Sequence, residues 1–405
     1  TPEVRETEHF FLDLEKFNEP LKEWVADKDY WRPNVRNFTT NLLREGLHGR
    51  AISRDIDWGI PIPVEGYADK RIYVWFDAVI GYLSAAIEWA YNRGTPEAWH
   101  QWWDAEAESR SYYFVGKDNI FFHTLIWPAM LMGYGGLQLP HDVPANEYLT
   151  LEGHKISSSR NWAVWAPDYL ARYDPDPLRY TLTVHAPETS DSDFSWQDFL
   201  DRNNNELVGT WGNLAHRMLT FAGKHYQGAV PTPGELGDAD REILRIADDA
   251  FAPVAEDLEA CRFRAAIGKV MGVAREANRY LDAAAPWKVL KSEPERAATA
   301  NYVALRVIDS LKVLFAPFLP FSSQKLHEYL GYDTDILGVQ RPVEFQENDH
   351  KHVALTYEHT LEGDLWVPSQ LPPGQALRKP QPLFRKLDES IVEEEIARLH
   401  QAAAE

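Results

Sequence analysis

A short apolar run followed by a helical repeat stands out near the middle of the sequence. Residues 112–115 are aromatic or β-branched, which is typical of a buried strand, and Gly116 ends the run. After the polar turn 116–119 the apolar residues recur at helical spacing, so His123 and Trp127 lie on one helix face. In a parallel sheet such a turn lies where ligands bind. The pattern therefore predicts a ligand pocket, with ordinary core packing as the alternative.

A second strand and helix precede this pair. Residues 71–76, RIYVWF, predict another buried strand, and residues 77–89 have the apolar repeat of a helix. Two successive strand–helix pairs predict half of a doubly wound, Rossmann-type α/β domain. Residues 1–50 predict helices after a segment, EHFFLDL, that is compatible with a strand lacking a nearby partner. That region therefore looks like the end of another module.

The following segment is rich in loop-forming residues. We expect a short strand over residues 149–151 and a mobile loop over residues 153–160. Residues 167–172 and 177–185 begin with proline and predict two helices.

From about residue 198 the pattern becomes helical. One apolar stripe comprises Leu207, Trp211, Leu214, Met218 and Phe221. Further amphipathic runs cover residues 238–258, 263–281, 295–315 and 321–329. Short Pro- and Gly-containing connections between them predict an antiparallel helical bundle. Beyond residue 332 we expect irregular chain until a helix over residues 391–401.

Length and composition restrict the class of protein. A chain of 405 residues with 44% hydrophobic residues predicts two or three folded domains. Its single cysteine, Cys261, excludes a disulfide framework and a cysteine-based zinc site. No segment has the length of a membrane span, and the first ten residues lack the features of a signal peptide. We therefore expect a cytoplasmic protein with no membrane partner.

The net charge of −21 argues against strong nonspecific binding to nucleic acid, because such binding depends on Lys and Arg neutralising phosphates. Any RNA partner must be held locally. Acidic residues are spread along the whole chain, which suggests a salt-rich, halophile-like cytoplasm where ionic strength screens self-repulsion. An unusually acidic protein from an ordinary cytoplasm is the alternative.

The loop GHKISSSRN is a candidate phosphate site. It places Lys155 among hydroxyl side chains after a glycine, with Arg160 close behind. An ammonium group, hydroxyls and backbone N–H groups together can hold a polyphosphate. Similar sequences are also common on exposed loops that bind nothing.

Five segments occur in an order that resembles one known family. They are YVWFDAVIGYLSA, FVGKDNIFFHTLIWPAMLMG, LEGHKISSSRNW, RNNNELVGTWGNLAHR and AAAPW. They resemble class I methionyl-tRNA synthetases of the archaeal and eukaryotic-like type. The resemblance implies a catalytic domain followed by a helical anticodon-binding bundle. It implies ATP-dependent activation of methionine, with Mg²⁺, and transfer of methionine to tRNA(Met).

The resemblance also assigns roles to individual residues. The implied methionine-binding residues are Trp75, Ala78, Tyr82, His123 and Trp127. The implied ATP-binding residues are Gly116, Asp118, Lys155 and Ser158, of which Lys155 is catalytic as the first lysine of the KMSKS signature. Ser158 replaces the second lysine of that signature, so we expect Lys155, Mg²⁺ and Arg160 to carry the phosphate charge. The implied anticodon-binding residues are Asn213, Arg217 and Trp287.

The family's HIGH signature and its cysteine-rich zinc module do not occur in the sequence, so zinc is not expected within this chain. We expect the following division: the end of a connective insertion (1–50), the second half of the catalytic domain (51–145), a stem-contact segment (146–197), the anticodon-binding domain (198–350) and a C-terminal tail packed on the bundle (351–405). A separate chain could supply the HIGH-bearing half. The alternatives are a noncatalytic tRNA-binding fragment or subunit, and an unrelated α/β plus helical protein whose pocket binds another ligand.

Overall fold

The computed structural model describes residues 6–347, 350–358 and 365–404. The chain forms two compact units, and the second is interrupted by a short segment of the first. The first unit comprises Thr1–Tyr148 and Pro187–Asp191, and the second comprises Leu149–Ala186 and Ser192–Glu405. The expected segments 1–50, 198–350 and 351–405 each include positions outside the described residues. The five-part division stays a prediction.

The first unit begins with a strand and two helices, as the sequence pattern predicted. Its helices are α1 (Asn18–Val25), α2 (Pro33–Glu45), α3 (Val74–Ala78), α4 (Gly81–Asn92), α5 (His100–Trp103) and α6 (Trp127–Tyr134). Strand β1 (Phe11–Leu12) pairs antiparallel with β2 (Arg50–Ala51). The expectation that this first strand lacks a nearby partner was therefore wrong, because the chain returns to it after α2.

The strand predicted over residues 71–76 is much shorter in the structure. Only β4 (Arg71–Ile72) is extended, paired antiparallel with β3 (Ser53–Arg54). The backbone N–H groups of Phe76 and Asp77 both donate to the Tyr73 carbonyl, at 2.9 and 3.1 Å, and this turn begins α3. Aromatic and β-branched residues favour strands only where a pleated, half-buried surface receives them. The prediction of a buried strand was therefore wrong: the first two residues form a strand that is only half-buried, and the second half of the segment is helical.

The strand–turn–helix prediction is confirmed in outline. Strand β5 (Val115–Gly116) pairs in parallel with β6 (Ala145–Asn146), and Tyr112 makes an isolated parallel bridge with Asp142. After a 3-10 turn the chain enters a π-helical segment, Phe122–Ile126, that continues into α6. This helix buries Leu125, Ile126, Trp127 and Ala129 in the core of the first unit.

The second unit opens with a sheet of three short strands. Strand β7 (Leu149–Leu151) lies between β8 (His154–Lys155) and β9 (Ser192–Phe194), antiparallel to the former and parallel to the latter. The predicted strand over residues 149–151 is confirmed. The loop predicted over residues 153–160 is instead the end of a β-hairpin followed by a 3-10 turn, Ser158–Arg160.

The predicted helices of the second unit are confirmed, with ends shifted by up to three residues and with residues 238–258 divided between two helices. They are α7 (Ala166–Leu170), α8 (Pro175–Val184), α9 (Trp196–Asp201), α10 (Asn213–His225), α11 (Asp238–Asp249), α12 (Phe251–Glu259), α13 (Phe263–Ala284), α14 (Pro286–Val289), α15 (Pro294–Phe315), α16 (Pro320–Tyr329) and α17 (Ser390–Ala404). A π-helical segment, Arg202–Gly212, joins α9 to α10. Leu207, Trp211, Leu214 and Met218 of the predicted stripe are buried in one core, against which Phe221 packs.

The region beyond residue 332 was predicted as irregular up to the last helix, and this was wrong for residues 339–358. Strands β10 (Val339–Glu347) and β11 (His350–Glu358) form an antiparallel ribbon. Pro342, which weakened the strand signal, lies opposite Leu355 in this two-stranded ribbon, where an edge strand tolerates proline. In the described part of the chain, no helix has the length and apolar character needed to cross a membrane.

Candidate functional site

His123 is fixed by two hydrogen bonds within an aromatic cluster of the first unit. Its Nδ1 lies 2.8 Å from the Asn119 carbonyl oxygen, and its Nε2 lies 2.7 Å from the Tyr82 hydroxyl. A carbonyl can only accept, so Nδ1 carries the proton and Nε2 accepts from Tyr82. Desolvation lowers the pKa of the imidazole, whose residue is only 5% exposed. His123 is therefore a neutral ring at neutral pH.

Trp127 belongs to the same cluster. Its indole N–H donates to the Tyr113 hydroxyl at 3.0 Å, and the Tyr82 ring stands edge-on to Tyr113 with centroids 4.9 Å apart. Burial raises the pKa of Tyr113, so its hydroxyl stays protonated. Tyr113 was not among the predicted site residues. Its only signal was its position in the aromatic run that leads into the polar turn.

Trp75 and Ala78 lie on α3, outside this cluster, in which Tyr82 is also 42% exposed. The Trp75 ring is 6.0 Å from that of Phe122, the residue before His123, and the side chain is 48% exposed. Ala78 is also exposed. The structure thus combines a buried aromatic wall with accessible residues on α3 and α4. Such a surface suits a flexible, polarizable group such as a thioether, because sulfur makes favourable contacts with aromatic rings.

The polar turn after β5 is held by side chains that the sequence pattern did not predict as its partners. The Tyr148 hydroxyl donates to both carboxylate oxygens of Asp118, at 2.7 and 2.9 Å. Lys117 Nζ lies 2.7 Å from Glu147 Oε2 and 3.0 Å from Asp191 Oδ1. Hydrogen bonds to these two carboxylates raise the pKa of Lys117. The Asp118 side chain is exposed, and the Tyr148 hydroxyl orients its carboxylate. Gly116 is also exposed, with open space where a Cβ atom would stand.

The KMSKS-like loop lies at the hairpin of β7 and β8 in the second unit. Glu152 and Gly153 form its turn with φ of 50° and 73°, values that favour glycine at the second position. The Gly153 N–H donates to Asp193 Oδ1 at 2.9 Å. Beyond the hairpin, the N–H groups of Ser157 and Trp162 donate to each other's carbonyl oxygens, at 3.0 and 2.9 Å. The loop is therefore closed at both ends.

Exposed polar side chains project from this closed loop: Lys155 on β8, and Ser158 and Arg160 on the 3-10 turn. Ser158 is a hydroxyl where the signature has a second lysine. The loop can therefore present two cations, with hydroxyls between them, to an anionic ligand.

Two of the three predicted anticodon residues, Arg217 on α10 and Trp287 on α14, lie against each other. The Arg217 guanidinium carbon lies 4.6 Å from the centroid of the Trp287 ring. Trp287 is 39% exposed and is therefore not a core residue. Asn213 is exposed at the start of α10, one turn before Arg217. A cavity of 530 Å³ lies beside Trp287 and is also lined by Phe221.

None of the described residues forms a group of three or more His, Cys, Asp or Glu side chains suited to hold a metal ion. No coordination site for the expected Mg²⁺ can therefore be assigned among these residues, and Mg²⁺ binding stays a prediction. Mg²⁺ is commonly held through substrate phosphates as well as carboxylates.

Comparison with protein families assigns the class. Residues 1–219 match the family described as tRNA synthetases class I (M), and residues 230–344 match the anticodon binding domain of methionyl tRNA ligase. A Rossmann-type catalytic domain followed by a helical anticodon-binding domain is therefore confirmed.

Individual relatives agree with this class. The chain is 56% identical to a methionine–tRNA ligase of Roseiflexus sp. (strain RS-1) over 405 residues, covering 98% of this chain and 68% of the relative. It is 52% identical to the ligase of Chloroflexus aggregans over 421 residues, covering 98% and 69%. A crystal structure of Mycobacterium tuberculosis methionyl-tRNA synthetase bound by methionyl-adenylate matches with a TM-score of 0.76 and 28% identity, covering 93% of this chain and 68% of that one.

The chain belongs to the methionine–tRNA ligase family of class I aminoacyl-tRNA synthetases. It carries the catalytic and anticodon-binding domains of a ligase that joins methionine to tRNA.

Proposed function

We propose that Trp75, Ala78, Tyr82, His123 and Trp127 bind the methionine side chain during its activation. The observation that supports this most directly is the pair of hydrogen bonds that link His123 to the Asn119 carbonyl and to the Tyr82 hydroxyl. They fix the positions of these rings before a ligand binds. A neutral imidazole and aromatic faces favour a thioether over a charged side chain. Tyr113 contributes by orienting Trp127 through the indole hydrogen bond.

The exposed Trp75 provides the clearest test of this pocket. We expect Trp75→Ala to weaken methionine binding about 2- to 12-fold, since one sulfur–aromatic contact contributes roughly 0.3 to 1.5 kcal/mol. Because Trp75 is 48% exposed, its truncation leaves the core intact. Isothermal titration with methionine measures the effect, and Trp58→Ala, at a residue 72% exposed in the same unit, is the matched control. Equal affinities in parent and Trp75→Ala would remove Trp75 from the pocket.

We further propose that ATP is held by Gly116, Asp118, Lys155 and Ser158, with Mg²⁺ and Arg160 sharing the phosphate charge. Asp118, oriented by Tyr148, would accept hydrogen bonds from the ribose hydroxyls. Lys155 would stabilise the charge that develops as pyrophosphate leaves. The methionine carboxylate would attack the α-phosphorus, the bond from that phosphorus to the bridging oxygen would break, and pyrophosphate would leave. The terminal ribose hydroxyl of tRNA(Met) would then attack the adenylate carbonyl, the bond from that carbon to the phosphate oxygen would break, and AMP would leave as the hydroxyl proton passes to solvent.

Asn213, Arg217 and Trp287 would bind the anticodon. The Trp287 ring has an exposed face and an adjacent cavity large enough for an unpaired base. An indole can stack such a base, while an amide and a guanidinium hydrogen-bond its edge. Arg217, packed on the same ring, would keep the indole in place and read the neighbouring base.

We expect Trp287→Ala to reduce the discrimination between a CAU anticodon and a mismatched one, because stacking contributes roughly 1 to 3 kcal/mol per base. A competition assay with the two RNAs at fixed salt measures the ratio of affinities. Trp165→Ala, which truncates another half-exposed tryptophan of the second unit, is the control. If the ratio does not change, Trp287 does not contact the anticodon.

Several finer expectations stay proposals. These are the archaeal and eukaryotic-like subtype, a cytoplasmic and salt-rich location, and a separate HIGH-bearing half as partner. An open α/β sheet binds its nucleotide where two halves meet, so such a half would complete the crevice. Pyrophosphate exchange measured with and without an added HIGH-bearing half tests that partner.

A further inference from the structure

Helix α10 separates two neighbouring cavities of the second unit. The first is the 530 Å³ cavity beside Trp287, and the second, of 700 Å³, lies on the other flank of the helix. His216, Thr220 and Lys224 line both cavities. Their spacing of four residues places them in one row along the helix. The two cavities are therefore adjacent and share a polar ridge, which we call the α10 ridge.

The second cavity has an unusual charge for this protein. Lys224, Arg378 and Lys379 line it, and among the described residues no Asp or Glu lines either cavity. The whole chain contains 62 Asp and Glu residues against 41 Lys and Arg. Asp333 offsets Arg378 from outside the lining, but Lys224 and Lys379 still give this surface a positive potential that the net charge of the protein conceals.

The two lysines of the second cavity are available to a ligand. Arg378 is paired with Asp333. Lys224 and Lys379 are exposed, and neither ammonium group has a hydrogen-bond or ion-pair partner in the described ranges. Cations without internal partners are the ones that an incoming phosphate can pair with at no cost in broken contacts.

The wall that carries Lys379 is fixed to the bundle on both sides. Before it, the Leu377 N–H donates to the Gly228 carbonyl at 2.7 Å, and the Val230 N–H donates to the Gln375 carbonyl at 2.9 Å. After it, Leu383 and Phe384 are buried in the bundle core. Between these anchors Pro380 and Pro382 restrict the backbone. The backbone that carries Lys379 is therefore fixed before a ligand binds, and the cavity is preformed.

We propose that the second cavity binds phosphate groups of the RNA strand whose unpaired base enters the cavity beside Trp287. This inference rests on the proposed anticodon role of Trp287. Lys224, on the α10 ridge, borders both cavities, so a strand with one base stacked on Trp287 can pass its backbone over Lys224 toward Lys379. Phosphate contacts position a strand without reading its sequence. They also supply the local grip that an acidic protein needs to bind tRNA.

Salt-dependent binding of a short RNA hairpin with a CAU loop tests the proposal on the 405-residue chain. We expect Lys379→Gln to lower affinity about five-fold at 0.1 M salt and to reduce the slope of log K against log salt by about 0.7, as for one lost single-strand phosphate contact. The loss should be equal for a mismatched loop. Lys379→Arg should retain both affinity and slope. Lys386→Gln, at an exposed lysine further along the same segment and outside both cavities, is the control.

The outcomes separate this inference from the function on which it rests. If Lys379→Gln leaves affinity and slope unchanged while Trp287→Ala lowers discrimination, the phosphate site is wrong and the anticodon role stands. If neither variant has an effect, both are wrong. A loss of affinity in Lys379→Gln that depends on the loop sequence, or an equal loss in Lys386→Gln, would also overturn a phosphate contact at this cavity.

Discussion

Replacing Lys155 by alanine is expected to lower methionine-dependent ATP–pyrophosphate exchange about 10²- to 10³-fold, the range found when one preorganised donor to a developing charge is removed. The physical reason is that Ser158 is neutral where the family signature has a second lysine. Lys155 and Arg160 are therefore the two side-chain cations of the loop, and Lys155 is the one that matches the signature. Because Lys155 is exposed on β8, the variant should fold normally.

Two further variants test whether charge is the cause. Lys155→Arg should retain a large part of the rate, since it keeps the cation. Ser158→Lys restores the second lysine and should partly rescue Lys155→Ala. The exchange rate and the thermal transition of each variant are measured together, so that loss of fold is recognised. An exchange rate within about two-fold of the parent for Lys155→Ala would assign the phosphate charge to Arg160 or to the metal instead.

Asp240→Ala is expected to destabilise the helical bundle by about 3 to 5 kcal/mol, because it leaves buried partners unpaired. Asp240 is fully buried at the start of α11. Its carboxylate accepts hydrogen bonds from Arg296 at 2.6 and 2.9 Å, from the Tyr280 hydroxyl at 2.5 Å and from the Gly237 N–H at 2.8 Å. Since the Arg296 side chain is 33% exposed, the lower end of the range is expected.

Urea unfolding followed by circular dichroism measures this loss as a shift of the midpoint at constant slope. Asp238→Ala is the matched control, because that side chain is fully exposed two positions earlier on the same helix. We expect it to change stability by less than about 0.5 kcal/mol. Similar midpoints for Asp240→Ala and Asp238→Ala would show that the buried network does not stabilise the bundle.

The same network predicts a pH dependence. Desolvation raises the pKa of Asp240, but hydrogen bonds from Arg296 and Tyr280 outweigh it and hold the pKa below its usual value of 3.8. The folded carboxyl therefore binds a proton less readily than the unfolded one. Its contribution to stability is complete above the unfolded pKa and is lost as the pH falls through the folded pKa. The midpoint difference between parent and Asp240→Ala should shrink below about pH 4.

The helices of the bundle and their buried faces could be predicted from the sequence. Leu207, Trp211, Leu214 and Met218 are buried as their spacing requires, because a helix with one apolar stripe must turn that stripe inward. The candidate site residues were also identifiable, since unusual polar and aromatic side chains followed a strand or occupied one helix face. The spacing of apolar residues thus predicts on which face of a helix or strand each side chain lies.

The partners of those side chains were decided by the tertiary structure. Tyr148 meets Asp118 across 30 positions, and the segment carrying Lys379 is anchored to Gly228 far earlier in the chain. The local sequence pattern does not predict such contacts, because each of them depends on how separate elements pack against one another. For the same reason the sequence overstated the strand over residues 71–76, whose second half meets no pleated surface and becomes helical. The sequence by itself determined the family, the helices and the candidate residues; packing alone decided which hydrogen bonds orient them and where the cavities lie.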